Sequence, residues 1–134
     1  MSWTWIQQTG QMFGPDGVLL AEGYAGHGSG LNNPYMQHVQ GLGPPPCGRY
    51  AIGPLEATHT TAEGHVLTDS AALIPDPANE MYGRSGFRIH GRKSLTDMDA
   101  SNGCIVLDHE PRMKVLTSPD RELAVLAKNP YVLS

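Results

Sequence analysis

Between Phe87 and Leu107 the chain reads FRIHGRKSLTDMDASNGCIVL, with His90 ahead of a small polar loop and Cys104 behind a glycine and before an apolar run. Those two residue types suit one kind of chemistry. A free thiol has a pKa of about 8.5, so only a few per cent is thiolate at neutral pH. An imidazole beside it takes the proton and holds the thiolate as an ion pair. Gly103 permits close approach of a substrate, and the backbone N–H groups of Gly103 and Cys104 can donate to a developing oxyanion. A helix beginning just after Cys104 would bring its positive end to the sulfur. These pieces describe cysteine acyl transfer: attack on an amide, a thioester, then release to water or an amine. A plainer reading stands beside it, in which a cysteine before Ile-Val-Leu is a small buried hydrophobe heading a core strand.

Strand parity sharpens the setting of His90. Side chains alternate along a strand, so Phe87 and Ile89 share a core face while Arg88, His90 and Arg92 share a polar, cationic one. Arg84, Arg88, Arg92 and Lys93 form either a solvated face or a receptor for carboxylates, which arginine matches well. The remaining histidines, His27, His38, His59, His65 and His109, show no metal-ligand spacing, and no second cysteine lies near Cys104, so neither metal nor cofactor is expected. Cys47, between a proline run and a strand, reads as a bystander. A Cys47–Cys104 disulfide stays open as an alternative that would abolish thiolate chemistry.

The whole chain bounds these readings. Its 134 residues suit one domain, residues 1–134, and 40% hydrophobic against 16% charged residues marks it as globular. Sixteen glycines and eleven prolines, spread throughout, favour short strands and tight turns over a helical bundle. A formal net charge of −4 argues against nucleic acid as a partner. No apolar run approaches the roughly 20 residues that span a bilayer, and the first residues have neither a charged nor an apolar signal-peptide region. The expectation is synthesis in the cytoplasm without a cleaved signal, and no membrane insertion.

The elements that must position His90 and Cys104 read as mainly β. SWTWIQQTG alternates as a half-buried strand and is read as an edge of the fold, followed by a PDG turn and a returning strand in VLLAEGYAG. A long Gly/Pro-rich excursion from His27 to Gly48 contains a helical turn near Pro34 to Val39. Asn32 and Asn33 there are read as serving turn geometry, with the loop as a second candidate for substrate contact. RYAIG is a strand, residues 54–70 show little periodicity, and SGFRIHG is the clearest strand of all. A short helix is expected after the cysteine, with Asp108 as its cap, Pro111 in its first turn, and Met113, Val115 and Leu116 as its apolar face. RELAVLAKNP closes the chain as a strand.

FRIHG, a polar loop and SNGCIVL together resemble the catalytic signature of L,D-transpeptidases, and GPPPCGRYAIG is similar to that family's Pro-x-Gly-x-Tyr/Phe-x-Ile strand. The opening MSWTWIQQTGQMF, the block from Gly23 to Gly53 and YGRSGFRIHG are similar to the small L,D-transpeptidase-like effectors of type VI secretion. This resemblance implies an L,D-transpeptidase-like β-sandwich or barrel with one or two short helices. It implies Cys104 as nucleophile, His90 as base, the Gly91 carbonyl orienting the imidazole, and Ser101, Asn102 and Gly103 completing the loop. Tyr82, Arg88 and Arg92 are the expected substrate contacts. The implied substrate is the peptidoglycan tetrapeptide stem, attacked at the diaminopimelate–D-alanine bond with hydrolysis, D-amino acid exchange or 3–3 cross-linking to follow. A cognate immunity protein, a type VI delivery component and action in a rival's periplasm are implied too. Two positions depart from the pattern: Asn102 replaces the second histidine of the signature, and Val106 replaces a basic or polar residue. Two other functions remain in view. One is a non-catalytic cell-wall-binding, secretion or phage-tail module. The other is a papain-like peptidase, disfavoured because His90 precedes Cys104.

Overall fold

A computed structural model describes residues 2–61, 64, 66–91 and 103–130. Among the described residues nine strands form one sheet: β1 (Ser2–Ile6), β2 (Gln11–Phe13), β3 (Leu19–Glu22), β4 (Gly48–Ile52), β5 (Glu56–Thr60), β6 (Val66–Pro75), β7 (Arg88–His90), β8 (Ile105–Val106) and β9 (Glu122–Leu126). The helix α1 spans His109–Leu116, and single 3-10 turns occupy Gly28–Gly30 and Pro34–Met36.

The strand order is β3-β2-β1-β9-β4-β6-β7-β8, with β5 paired to β6. The path then returns on itself. Tyr24, just past β3, bridges to Val106 of β8, with Tyr24 N–H donating to Val106 O at 3.1 Å and Val106 N–H to Tyr24 O at 2.7 Å. The expected sandwich or barrel is therefore present, closed where Gly23–Tyr24 runs beside the strand that follows Cys104. Gly23 is required there, because a Cβ would collide with the Val106 carbonyl and the Leu107 side chain.

The alternation of the opening stretch is realised: Trp3 and Trp5 are buried, and Ile6 is fully so. Its reading as an edge is not. β1 lies inside the sheet, antiparallel to β2 and parallel to β9, because Trp3 and Trp5 need cover that an edge strand lacks. The PDG hairpin joins β2 to β3 rather than β1 to β3, since Gly10, at φ 74, turns the chain one strand earlier. Residues 54–70, unperiodic in sequence, supply β5 and the start of β6. This arm of the hairpin is solvated on both faces and so carries no apolar alternation. The helix starts after Asp108 as expected, with Pro111 in its first turn. Its buried face is Arg112, Val115 and Leu116, with Met113 only half-buried.

The core gathers Trp3, Trp5, Met12, Tyr50, Ile52, Leu73, Phe87, Ile89, Ile105, Leu107, Val115, Leu116, Leu123 and Val125. Full burial of each aliphatic side chain contributes about 1.5–3 kcal/mol. Beside this core lies a buried proline run, Gly43–Pro46. Prolines offer no N–H, and their carbonyls need partners once out of water. All four carbonyls are met by side chains: Gly43 and Pro44 by Arg84, Pro45 by Gln7, and Pro46 by the Tyr50 hydroxyl.

Closing the barrel through Gly23 has a measurable consequence. Gly23→Ala should cost about 1–3 kcal/mol, the usual penalty of overpacking, read as a lower urea midpoint. Gly17→Ala, where a Cβ meets nothing within 4 Å but φ is +80, should cost only the smaller backbone strain. Equal losses at the two positions would remove the closing contact from the account.

Candidate active site

The frame of the site is the parallel pairing of β7 with β8, in which Ile89 aligns with Ile105 and His90 with Val106. One step earlier Arg88 meets Cys104, and the backbone N–H of Arg88 is hydrogen-bonded to the cysteine sulfur. Aligned side chains share a face of the sheet. Arg88, His90, Cys104 and Val106 therefore lie on one face, and the fully buried Ile89 and Ile105 on the other. This ladder brings the histidine and cysteine of the sequence motif to the same side of two adjacent strands.

His90 is held in one tautomer. Its Nδ1 lies 2.7 Å from the Gly91 carbonyl oxygen. A carbonyl only accepts, so Nδ1 carries the proton and Nε2 presents its lone pair. The turn that aims this carbonyl rests on Arg112, a buried residue of α1. Arg112 donates from Nε to the Asp69 carbonyl at 2.9 Å and from Nη1 to the Leu107 carbonyl at 2.7 Å. A Cβ on Gly91 would stand 2.5 Å from Arg112 Nη1, so a side chain there would have to displace the guanidinium.

Cys104 is half-buried, and its thiol donates to the Gly86 carbonyl across a long 3.9 Å. Burial pushes the thiol pKa up, opposed by the Arg88 N–H and by the charges of Arg88 and Arg84. The resting group is accordingly a protonated thiol. Gly103 precedes it at φ 125, a backbone angle that favours glycine, with Arg84 and Phe87 packed against its Cα.

The helix is not a source of charge for the sulfur. Cys104 is followed by β8, and α1 starts only at His109. The reason is pairing: Ile105 and Val106 complete the ladder with β7 before the chain can turn into a helix.

Arg88 also departs from expectation. Rather than forming an open cationic face, its side chain is buried, with Nη2 donating to Glu56 Oε1 at 2.8 Å and to Ser70 Oγ at 2.9 Å. β7 is flanked by β6 and β8, and Glu56 of β5 and Ser70 of β6 meet the Arg88 side chain, so parity separates the two faces without exposing this residue. Tyr82 is exposed, at an unusual φ of 56 for a bulky residue, and turns the edge of its ring toward His38. Ser101, Asn102 and Arg92 lie outside the described residues.

The long loop is pinned rather than free. Asn33 caps its second 3-10 turn by accepting from Tyr35 N–H at 3.0 Å, and Asn32 accepts from Ala25 N–H at 3.0 Å, the turn roles expected of both. Cys47 and Cys104 are free thiols, and Cys47 Sγ lies 3.3 Å from Gln7 Oε1. Among the described residues no group of three or more His, Cys, Asp or Glu is arranged to hold a metal, and no helix is long and apolar enough to cross a membrane.

Residues 20–127, a span that includes every residue of this site, match the Tlde1 domain. The chain belongs to that family. Tlde1 proteins are the type VI L,D-transpeptidase effectors that the motifs resemble. Among solved structures, the avibactam carbamoyl enzyme of the L,D-transpeptidase Ldtfm superposes at a TM-score of 0.58 and 11% identity. The match covers 96% of this chain and 49% of that one, so this chain spans about half its length. At such identity the likeness is one of fold, mainly β with one helix. No curated protein matches the sequence.

Sequence reasoning alone missed the roles of Glu56, Ser70 and Arg112. Each acts across long chain separation, and the one local trace was the glycine at position 91. The Glu56–Arg88 pair carries a pH signature. Hydrogen bonding from Arg88 holds the Glu56 carboxyl below its ordinary 4.5, aided by His59. A depressed carboxyl contributes stability that is present above its unfolded value and lost as pH falls through the folded one. Thermal stability should therefore fall on acidification below about pH 4.5, and Glu56→Gln should flatten that part of the profile. Identical profiles for the two proteins would assign the acid sensitivity to other carboxylates.

Proposed function

We propose that this Tlde1 protein is a cysteine L,D-transpeptidase and L,D-carboxypeptidase acting on peptidoglycan tetrapeptide stems, with Cys104 as nucleophile and His90 as base. One observation carries the reading: the parallel β7–β8 ladder sets His90, with Nδ1 committed to the Gly91 carbonyl, on the same face as Cys104. His90 Nε2 takes the thiol proton, and the sulfur attacks the carbonyl carbon of the third stem residue. The C–N bond to the terminal D-alanine breaks, the proton on His90 passes to the departing amine, and a thioester remains. Water then adds, His90 accepts its proton and returns it to the sulfur, and the shortened stem leaves as the acid. A D-amino acid or a second stem in place of water gives exchange or a 3–3 cross-link.

The backbone N–H groups of Gly103 and Cys104 are suited to the oxyanion, since the left-handed turn at Gly103 changes the chain direction immediately before the nucleophile. Because the wall lies outside the cytoplasm, the protein acts in the periplasm of a target cell after type VI delivery, and the producer is protected by an immunity protein.

Mass spectrometry of purified tetrapeptide fragments tests the chemistry. Wild type should remove one D-alanine, Cys104→Ala should remove none, and His90→Gln should be slower by about 100-fold or more. Fragments left unchanged by wild type under reducing conditions, with and without added D-amino acid, would leave a wall-binding module as the better account. Location has its own assay: growth should stop when the protein is exported to the periplasm and continue when it is confined to the cytoplasm. Equal killing from both compartments would rule out a wall target.

A further inference from the structure

Three guanidinium groups are buried close to the site, those of Arg84, Arg88 and Arg112, and they differ in what offsets their charge. Arg88 is paired with Glu56. Arg112 has Asp69 and Asp108 as its ionisable neighbours. Arg84 has no carboxylate among the described residues. It donates from Nη1 to the Gln37 and Pro44 carbonyls and from Nη2 to the Gly43 carbonyl, and its guanidinium stands 4.9 Å over the Phe87 ring. The ionisable groups near it are a phenol, Tyr50, and a thiol, Cys104. Burying a guanidinium without an anion is costly. Carbonyls and an aromatic face lower that cost, but they leave the positive charge in place.

The same group meets the nucleophile loop mechanically. A Cβ on Gly103 would lie 2.7 Å from Arg84 Nη2 and 2.8 Å from Phe87 Cε1. Arg84 thus joins three carbonyls of the long loop to the residue directly before Cys104. We propose that Arg84 is a positioning residue for Cys104: it braces the Gly103 turn against the Gly43–Pro44 wall and supplies a positive charge, paired with no carboxylate among the described residues, that stabilises the thiolate when His90 takes its proton. This deepens the proposed cysteine chemistry and rests on Cys104 being its nucleophile.

Among the described residues, the charged and titratable groups on the elements around the sulfur are Arg88 and His90 on β7 and Arg84 on the segment before β7. Of the cations among them, Arg88 is the one already neutralised. Removing Arg84 should therefore raise the pH at which Cys104 becomes reactive, beyond any loss of order.

The test reads Cys104 alone, without peptidoglycan. Alkylation by iodoacetamide is followed from pH 5 to 10 by peptide mass mapping, so that Cys47 is scored separately, with near-UV circular dichroism reporting the fold. Arg84→Met should shift the Cys104 profile to higher pH and slow alkylation at neutral pH by about tenfold. Arg84→Lys, which keeps the charge but loses the planar fork, should stay within about threefold of wild type even if its melting temperature falls. Superimposable profiles for a folded Arg84→Met and wild type would overturn the proposal. So would a folded Arg84→Lys with a shift as large as that expected of Arg84→Met, and this arm decides the matter if Arg84→Met does not fold. A wild type that is inert toward peptidoglycan yet shows the Arg84-dependent profile would refute the substrate assignment and leave this inference standing.

Discussion

The parallel pairing of β7 and β8 is the constraint on which the site depends. Antiparallel strands can be joined by two residues, but a parallel pair needs a connection of roughly a dozen residues or more. The segment from Gly91 to Cys104 meets that requirement. The spacing between histidine and cysteine is thus first a topological necessity: Ile89 and Ile105 must align in the core for their neighbours to share the opposite face. A one-residue slip of β8 would send the Cys104 side chain into the core and Ile105 out of it. Two fully buried isoleucines resist that slip, and the Tyr24–Val106 bridge resists it from the other edge of β8.

Polar anchoring does on the loop side what the isoleucines do in the core. A wall built from Gly-Pro-Pro-Pro has four carbonyls and only one N–H of its own, so it cannot be fixed by ordinary backbone pairing. Arg84, Gln7 and Tyr50 reach it from three separate parts of the chain. The phenol, whose pKa is raised by burial, stays a donor at any physiological pH. Arg112 of α1 packs against Gly91 and holds the Leu107 carbonyl, and the Leu107 N–H in turn donates to the His90 carbonyl. The glycines at 91 and 103 are the counterparts of these arginines, each leaving room for a guanidinium that a side chain would displace.

How far the sequence foretells this arrangement depends on the range of the interaction. Local signals are faithful: the Trp3/Trp5 alternation, Asn33 before its turn, Pro111 in the first turn of α1, and the pairing of Gly91 with His90 can each be read over a few residues, although the Asp108 side chain at the head of α1 makes no capping hydrogen bond. The β-rich fold follows from the density of turns. Where reading fails, the deciding contact is remote. The β5–β6 arm has two solvated faces and so leaves no hydrophobic period. Parity along FRIHG correctly separates Arg88 and His90 from Phe87 and Ile89. It cannot show that Ser70 of β6 and Glu56 of β5 arrive over the Arg88 side chain, or that Glu56 neutralises it. The helix expected beside the cysteine was displaced by two residues of strand for the same reason, a pairing partner invisible to local pattern.

A nucleophile in this position faces opposing demands. A half-buried sulfur is protected from solvent, but desolvation disfavours its anion, and the thiol pKa rises. A lowered pKa would keep the thiolate standing at the cost of intrinsic nucleophilicity, which falls as the thiol becomes more acidic. The proposed chemistry takes the other course: a protonated resting thiol, an imidazole whose Nδ1 is committed to the Gly91 carbonyl, and the Arg84 charge already in place for the anion that then appears. Preorganised charge in a water-poor site acts without rearrangement at the moment of reaction. On a chain of net charge −4, the partners that hold Arg84 among the described residues are carbonyls rather than carboxylates, which leaves its charge in place. Replacing those carbonyls with an acidic partner would secure the loop equally well and cancel the field that the sulfur requires.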